Sequence, residues 1–207
     1  MSLKKELTYG FSPLEEALSR VRELIDKLES NRPIPLVAVP KEFFPEKEWV
    51  GFLPSEVNYL GWEELPGIGD TVVIVDGVTD STNLGAIFRA SVALSAPHII
   101  LDLHNTGSIT PKVVEISRGA ALKASVWRLN IKQAISRLKG NGFSVIGLEA
   151  HEGTKLYHLD LTGKIALVIG SEDKGIRSTV KTLCDGLGNI PTDFESLNVH
   201  VALGIAL

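Results

Sequence analysis

From Thr71 onward, short apolar runs alternate with segments of helical pattern, and this alternation constrains the fold more than any other feature. The runs are of strand length and almost wholly apolar, which is typical of strands buried on both faces of a parallel sheet. The predicted strands cover residues 71–77, 98–102, 124–129, 143–148 and 164–170. The predicted helices cover residues 83–95, 111–121, 131–140, 175–184 and the segment from residue 196 onward. This order predicts an α/β fold with a mostly parallel sheet and helices on both faces.

The first 69 residues follow a different pattern. Ser12, Pro13 and Glu15 form a capping box, and apolar residues then recur every three or four positions to about residue 29, which predicts an amphipathic helix. The following stretch, to residue 69, is rich in Pro, aromatic residues and Glu, and its segment PLVAVP is a candidate short strand. We therefore divide the chain into a short N-terminal helical extension, residues 1–69, and an α/β domain, residues 70–207.

Composition excludes several classes of function. The chain has one cysteine, Cys184, which excludes an intramolecular disulfide and any multi-cysteine metal centre. The five His residues show no ligand spacing, so we expect no metal. Apolar runs such as IALVIG are far shorter than the roughly 18 residues that span a bilayer, and no membrane segment is expected. The single cysteine and an N-terminus without a signal-peptide pattern lead us to expect a cytoplasmic protein.

Basic residues are concentrated in one segment, although the formal net charge is −4. Between Lys112 and Lys139 there are seven Lys and Arg residues and a single acid, Glu115. Such a segment can bind the phosphates of a nucleic acid even in an acidic protein. An ordinary solvated helix surface is the alternative interpretation.

Ligands of open α/β sheets bind beside the carboxyl ends of the strands, and polar side chains are concentrated there. The loops concerned follow Asp76, Leu148 and Ile169. The loop G-S-E-D-K-G at residues 170–175 has the glycine spacing of a P-loop, but Ile176 and Arg177 stand where Lys and Ser or Thr are needed. Its two acids, among them Glu172, would also repel phosphates. These departures argue against triphosphate binding and favour a plain turn or a site for a cationic ligand.

Two further segments carry polar residues in apolar surroundings. Asn83 can cap the helix that follows the first strand of the domain, and Arg89 follows it by six residues. Near the C-terminus, Ser196 and Asn198 interrupt an otherwise apolar segment. Taken singly, these residues are also compatible with helix caps and an ordinary surface arginine.

Taken together, three segments resemble the three motifs of the SpoU-type, or TrmH-like, RNA 2′-O-ribose methyltransferases of the SPOUT superfamily. These segments are NLGAIFRAS, LVIGSEDKGI and IP followed by ESLNVHVALGIAL. The connecting segments SRGAALKASV and LCDGLGNIP also resemble the family, so that the similarity covers about residues 71–207. Between Pro191 and Ser196 the chain is shorter than is usual in the family. The segment YGFSPLEEAL resembles the start of the family's N-terminal RNA-binding domain, of which residues 1–69 would be a reduced version.

The resemblance implies a C-terminal trefoil knot, a homodimer and S-adenosylmethionine bound in the knotted loops, without metal. The implied reaction transfers the methyl group to a ribose 2′-hydroxyl of structured tRNA or rRNA. The implied catalytic residues are Arg89, Asn83, Glu172, Ser196 and Asn198. The implied cofactor-binding residues are Leu148, Gly170, Ile190 and Leu197.

Alternatives remain open for both the function and the mechanism. Arg89 is either a general base assisted by a substrate phosphate or a clamp for that phosphate, since an arginine is ordinarily protonated. A non-catalytic RNA-binding module of the same fold would lack the full set of polar side chains, which this chain has. An enzyme of the same fold that methylates a base is less compatible with the N-x-G-x-x-x-R pattern that begins at Asn83.

Overall fold

The computed structural model describes residues 59–193 and 195–207, together with the short strands β1 (Val37–Val39) and β2 (Val50–Phe52). β1 and β2 pair in antiparallel orientation. The candidate strand in PLVAVP is confirmed, because β1 lies within it. The predicted helix that follows Ser12 lies outside the described residues.

Seven strands form one parallel sheet that contains every predicted strand of the domain. These strands are β3 (Thr71–Val75), β4 (His98–Asp102), β5 (Ser125–Leu129), β6 (Ser144–Leu148), β7 (Thr154–Lys155), β8 (Ile165–Ile169) and β9 (Gly186–Asn189). Their order in the sheet is β5-β4-β3-β8-β6-β9-β7. The five predicted strands lie within two residues of their expected ends. The predicted parallel sheet is thus confirmed.

The position of β8 determines which loops meet at the carboxyl edge of the sheet. β8 pairs with β3 on one side and with β6 on the other. Ile169, its last residue, is opposite both Val75 of β3 and Leu148 of β6. The residues that follow these three strands therefore emerge side by side, where ligands of parallel sheets bind.

Helices cover both faces of the sheet, as predicted. They are α1 (Ser81–Ala93), α2 (Pro111–Ile116), α3 (Ile131–Gly140), α4 (Ser178–Lys181) and α5 (Val199–Ala206). Successive side chains of β3 point to opposite faces of the sheet, as in any strand. Val73 and Val75 pack in the cluster of α1, α2 and α5, whereas Val72 and Ile74 pack in that of α3 and α4. None of the helices in the described part of the chain is long and apolar enough to cross a membrane.

The helix predicted over residues 111–121 is shorter than expected. α2 ends at Ile116, and a separate 3-10 turn covers Ala120–Leu122. Between them Arg118 and Gly119 have φ values of 52° and 82°. This left-handed conformation ends a right-handed helix, so the prediction of one continuous helix is wrong.

The short strand β9 was not predicted. Its sequence G-L-G-N lacks the β-branched and aromatic residues that favour strands. It is a strand because it pairs with the edge of β6, where Leu187 is opposite Gly147. β9 leads directly to Ile190, one of the expected cofactor-binding residues.

Candidate active site

A cavity of about 300 Å³ lies at the carboxyl edge of the sheet. Its walls come from the segments that follow β6, β8 and β9 and from the beginning of α5. The structure brings together in it all four residues expected to bind the cofactor, namely Leu148, Gly170, Ile190 and Leu197. Two of the expected catalytic residues, Glu172 and Ser196, line the same cavity.

Asn83 joins the first motif to the second. Contrary to expectation it does not cap α1, because Asp80 does so by accepting hydrogen bonds from the backbone N–H groups of Thr82 and Asn83, each at 2.9 Å. The Asn83 side chain is therefore available, and its Nδ2 donates to Glu172 Oε2 at 2.8 Å. Two residues that are 89 positions apart in the sequence thus meet at the edge of the cavity.

Arg89 and Asn198 do not line the cavity. Arg89 is exposed on α1, and its side chain forms no hydrogen bond or ion pair with any residue in the described ranges. Asn198 is exposed at the N-cap position of α5 without forming a capping hydrogen bond. The interpretation of Ser196 as the cap of the last helix is therefore wrong. Both exposed side chains are free to contact a substrate.

Gly170 lies where the loop 170–175 closes on itself. Ser171 and Gly175 exchange two backbone hydrogen bonds, of 3.2 and 2.8 Å, which bring the end of the loop back over its beginning. A Cβ atom at position 170 would lie 2.0 Å from the carbonyl carbon of Gly175. Only glycine fits this closure.

Asp76 fixes the segment after the loop from the side of β3. It is 1% exposed, and its Oδ2 accepts the backbone N–H of Arg177 at 2.9 Å. The Arg177 side chain donates through Nε to Asp76 Oδ1 at 2.6 Å and through Nη2 to Asp102 Oδ2 at 3.0 Å. The hydrogen bond to Asp76 raises the pKa of Arg177. These contacts compensate the charge of two buried carboxylates.

Glu149 fixes the same segment from the side of β6. Its Oε1 accepts the backbone N–H of Ile176 at 2.9 Å, and its Oε2 lies 3.1 Å from Lys181 Nζ. Lys181 also binds Glu152. The hydrogen bond to Glu152, with a smaller contribution from the one to Glu149, raises the pKa of Lys181. Glu149 lines the cavity. The helix predicted over 175–184 is shorter than expected, since α4 covers only Ser178–Lys181 and Arg177 before it has a non-helical ψ of 138°.

The roles of Asp76 and Glu149 were not predicted from the sequence. A signal exists for both, because each is a carboxylate directly after a strand that is buried and apolar. Buried carboxylates at such positions need partners, and such partners are commonly backbone N–H groups or cations. Their partners, the N–H groups of Ile176 and Arg177, come close because β8 lies between β3 and β6. The spacing of residues along the sequence does not show this.

The basic segment between Lys112 and Lys139 is largely engaged within the protein. Arg128 donates three hydrogen bonds to the loop 103–108. The guanidinium of Arg137 lies 4.4 Å from the centre of the Trp62 ring. These contacts narrow the set of cations available to a nucleic acid. The exposed cations of this segment without such a contact to the described residues are Lys123 and Lys132.

No group of three His, Cys, Asp or Glu side chains within residues 59–193 and 195–207 could hold a metal ion. The polar groups that line the cavity are carboxylates, hydroxyls, backbone groups and the side chains of His151 and Lys174.

Comparison with known proteins identifies RNA methyltransferases as relatives of this chain. The SpoU rRNA Methylase family matches residues 70–207. The 23S rRNA (guanosine-2′-O-)-methyltransferase RlmB of Coxiella burnetii is 38% identical over 154 residues, which are 73% of this chain and 60% of that protein. The protein of the same name from Pseudomonas putida is 32% identical over 172 residues, 82% of this chain and 67% of the relative. The chain thus spans less than two thirds of the Coxiella relative.

Solved structures of methyltransferases are also similar to this chain. The AdoMet-bound rRNA methyltransferase from Sinorhizobium meliloti has a TM-score of 0.66 and 26% identity, with 75% of this chain and 60% of that chain covered. The SpoU methyltransferase AviRb from Streptomyces viridochromogenes, at 23% identity, shows the fold alone, with a TM-score of 0.66 over 89% of this chain and 74% of that chain. Since the family match covers well over half of the 207 residues, the chain belongs to the SpoU rRNA methylase family.

Proposed function

We propose that this protein transfers a methyl group from S-adenosylmethionine to a ribose 2′-hydroxyl of structured tRNA or rRNA. The observation that carries the proposal is the cavity, which is lined by Leu148, Gly170, Ile190 and Leu197 and bordered by the hydrogen bond from Asn83 to Glu172. The RlmB relatives are named as 2′-O-methyltransferases, which supports a ribose rather than a base as the target. A cytoplasmic location belongs to the same proposal.

The donor set of the cavity fits S-adenosylmethionine. Leu148, Ile190 and Leu197 offer aliphatic surface for a planar base, while backbone groups of the loops can hydrogen-bond its edge. The carboxylate of Glu172 complements positive charge. When bound, the cofactor supplies an electrophilic methyl group on a cationic sulfur. Gly170 lets the backbone approach the ligand closely.

The chain's own residues would prepare the 2′-hydroxyl. This group is a poor nucleophile, so it must lose its proton while its oxygen is held in line with the methyl group. Arg89 would bind the neighbouring phosphate in either role, as a clamp or as a phosphate-assisted base. Glu172, oriented by Asn83, would position the ribose together with Asn198 and Ser196. The position of Glu172 depends on the geometry of the loop 170–175, in which it lies.

The trefoil knot is part of the proposal. Its support is that β8 passes between the two earlier strands β3 and β6, after which the chain turns to β9 beside β6. The last helix, α5, then returns to pack against α1 through Leu203. A chain that inserts a strand and then crosses back over it is compatible with a knotted path.

A homodimer is also proposed, and an apolar surface supports it. Leu94 at the end of α1 and Val201 and Ile205 on α5 are 47%, 42% and 54% exposed. A Cβ atom at Gly204 would lie 3.9 Å from Leu94, so the two helices present this surface together. Adjacent exposed apolar side chains favour association with another protein surface. Among soluble homo-oligomers, the twofold dimer is the commonest arrangement.

We expect Ile205→Glu to produce a monomer at micromolar concentration, because a charge would have to be buried in the apolar contact. Sedimentation velocity measures the change from dimer to monomer. Leu103→Glu is the matched control, since Leu103 is 42% exposed in the loop 103–108 and belongs to neither α1 nor α5. A dimer that persists in Ile205→Glu would contradict the placement of the interface on α5.

For RNA binding, the double variant Lys123→Glu, Lys132→Glu is expected to lower affinity and to flatten its dependence on salt concentration. Affinity falls with salt because bound cations displace counterions from the RNA. For each phosphate that is no longer neutralised, the slope of log affinity against log salt concentration should decrease in magnitude by roughly 0.7 to 0.9. Affinity for S-adenosylmethionine should stay the same, since neither lysine lines the cavity. Filter binding at several salt concentrations measures the RNA affinity and its salt slope. An unchanged slope would make this segment an ordinary solvated surface.

The proposed function is tested by incubating the protein with labelled S-adenosylmethionine and total RNA that lacks the modification. The expected result is label on a single ribose 2′-oxygen, which mapping of the nucleotide detects. Label on a base would identify a base methyltransferase. RNA binding without transfer would identify a non-catalytic RNA-binding module.

A further inference from the structure

Two consecutive backbone N–H groups hold the end of the loop 170–175 in place. Ile176 donates to Glu149, and Arg177 donates to Asp76, each at 2.9 Å. Asp76 follows β3 and Glu149 follows β6, so the carboxylates approach from opposite sides of β8. Each is compensated by a cation just beyond the loop, Arg177 for Asp76 and Lys181 for Glu149.

The two carboxylates differ in their relation to the cavity. The Asp76 side chain is fully buried and does not line it. Glu149 lines the cavity directly beside Leu148, and its side chain is 10% exposed. Its carboxylate oxygens would lie only 3.1 Å from a Cβ atom placed at Gly175, so the carboxylate packs closely against the end of the loop. Any displacement of Glu149 would therefore change the wall of the cavity as well as the end of the loop.

We propose that Glu149 is a positioning residue that holds the loop 170–175 in the shape that binds S-adenosylmethionine. It acts through the Ile176 N–H, and its charge serves mainly to balance Lys181. The inference rests on the proposed function for the identity of the ligand. Without an acceptor at this position the Ile176 N–H loses its partner, which should weaken cofactor binding about 10-fold or more.

Two conservative variants distinguish the effect of the acceptor's position from the effect of its charge. Glu149→Gln keeps an acceptor oxygen at the distance of the Ile176 N–H but has no charge. Glu149→Asp keeps the charge but is one methylene shorter, which withdraws the carboxylate from that N–H. A positioning role predicts that Asp is the more damaging change. A purely electrostatic role, towards Lys181 or a cationic ligand, predicts that Gln is the more damaging one.

Glu152→Gln is the matched control. Glu152 binds the same Lys181 but does not line the cavity or accept a hydrogen bond from the loop. This variant reports the effect of weakening the ion pairs of Lys181 alone. It should leave cofactor affinity within about twofold of the wild type, as expected for an exposed ion pair.

The experiment uses the full chain and two readouts besides catalysis. Calorimetry with S-adenosylmethionine is expected to give an affinity about 10-fold weaker for Glu149→Asp and close to wild type for Glu149→Gln. Hydrogen exchange without cofactor should be faster at the Ile176 amide in Glu149→Asp alone. In methylation assays the KM for the cofactor should rise in Glu149→Asp, with kcat at saturating cofactor nearly unchanged.

The outcomes distinguish the two proposals. A larger loss in Glu149→Gln than in Glu149→Asp, or equal affinity in all variants, would overturn the positioning role. Wild-type protein that binds no S-adenosylmethionine would overturn the proposed function instead. In that case faster exchange at Ile176 in Glu149→Asp would still support the role of Glu149 in holding the loop, and unchanged exchange would overturn it.

Discussion

Replacement of Arg89 by alanine is expected to lower the rate of methyl transfer by about a hundredfold or more, as is typical when a proton-transfer or charge-stabilising group is removed. Affinity for S-adenosylmethionine should change little, because Arg89 does not line the cavity. The melting temperature should also change little, since the side chain is exposed and forms no ion pair with the described residues. Single-turnover methylation with saturating cofactor and RNA measures the effect.

Two further variants complete this test. Arg89→Lys should also be slow, because an ammonium group cannot reproduce the planar two-pronged contact of a guanidinium with phosphate. Lys164→Ala is the control, since Lys164 is an exposed cation that precedes β8 at the opposite edge of the sheet. Near wild-type rates for Arg89→Ala would make Arg89 an ordinary surface residue. A large fall in melting temperature would make it a structural one.

Gly170→Ala is expected to weaken S-adenosylmethionine binding by about a hundredfold. The added Cβ would lie 2.0 Å from the carbonyl carbon of Gly175, so the backbone of the loop would have to move out of its present position. Overpacking of this kind costs about 1 to 3 kcal/mol, of which each 1.4 corresponds to a tenfold change in affinity. Because the loop forms a wall of the cavity, the cost should appear mainly in cofactor binding. Calorimetry measures it directly.

The control for this substitution is Gly140→Ala. Gly140 ends α3, and a Cβ atom there would meet no other atom within 4 Å. Alanine has the higher helix propensity, so this variant should bind the cofactor normally and melt at the same or a slightly higher temperature. Equal cofactor affinity in Gly170→Ala and Gly140→Ala would show that the loop can rearrange without loss of function.

Most of the sheet could be predicted from the sequence, because buried parallel strands are continuous apolar runs that little else in a chain of this composition resembles. The run from Thr71 to Val75 and that from Ile165 to Ile169 are examples. β9 could not be predicted because its strand conformation depends on pairing with β6 and its own residues do not favour strands. The break after α2 depends on left-handed residues, and arginine is not a residue type that favours this conformation at Arg118.

For the site, the resemblance to a known family identified the residues that the structure gathers in the cavity, including Gly170 and Ile190. Their roles remain predictions. The prediction that Asn83 caps α1 is wrong because Asp80, three residues earlier, accepts the capping hydrogen bonds instead. The contacts of Asp76 and Glu149 connect residues far apart in sequence, and they follow from the order of strands around β8.

The late position of β8 in the chain has a consequence for the order of folding. β3 and β6 have no direct pairing with each other, and the gap between them is closed only when residues up to Ile169 are available. Contacts of such long sequence separation form slowly, because the intervening chain must be ordered first. During synthesis, strand edges of β3 and β6 would remain exposed to other chains until β8 emerges from the ribosome. A nascent chain that stalls before residue 165 would therefore be the species most prone to aggregate.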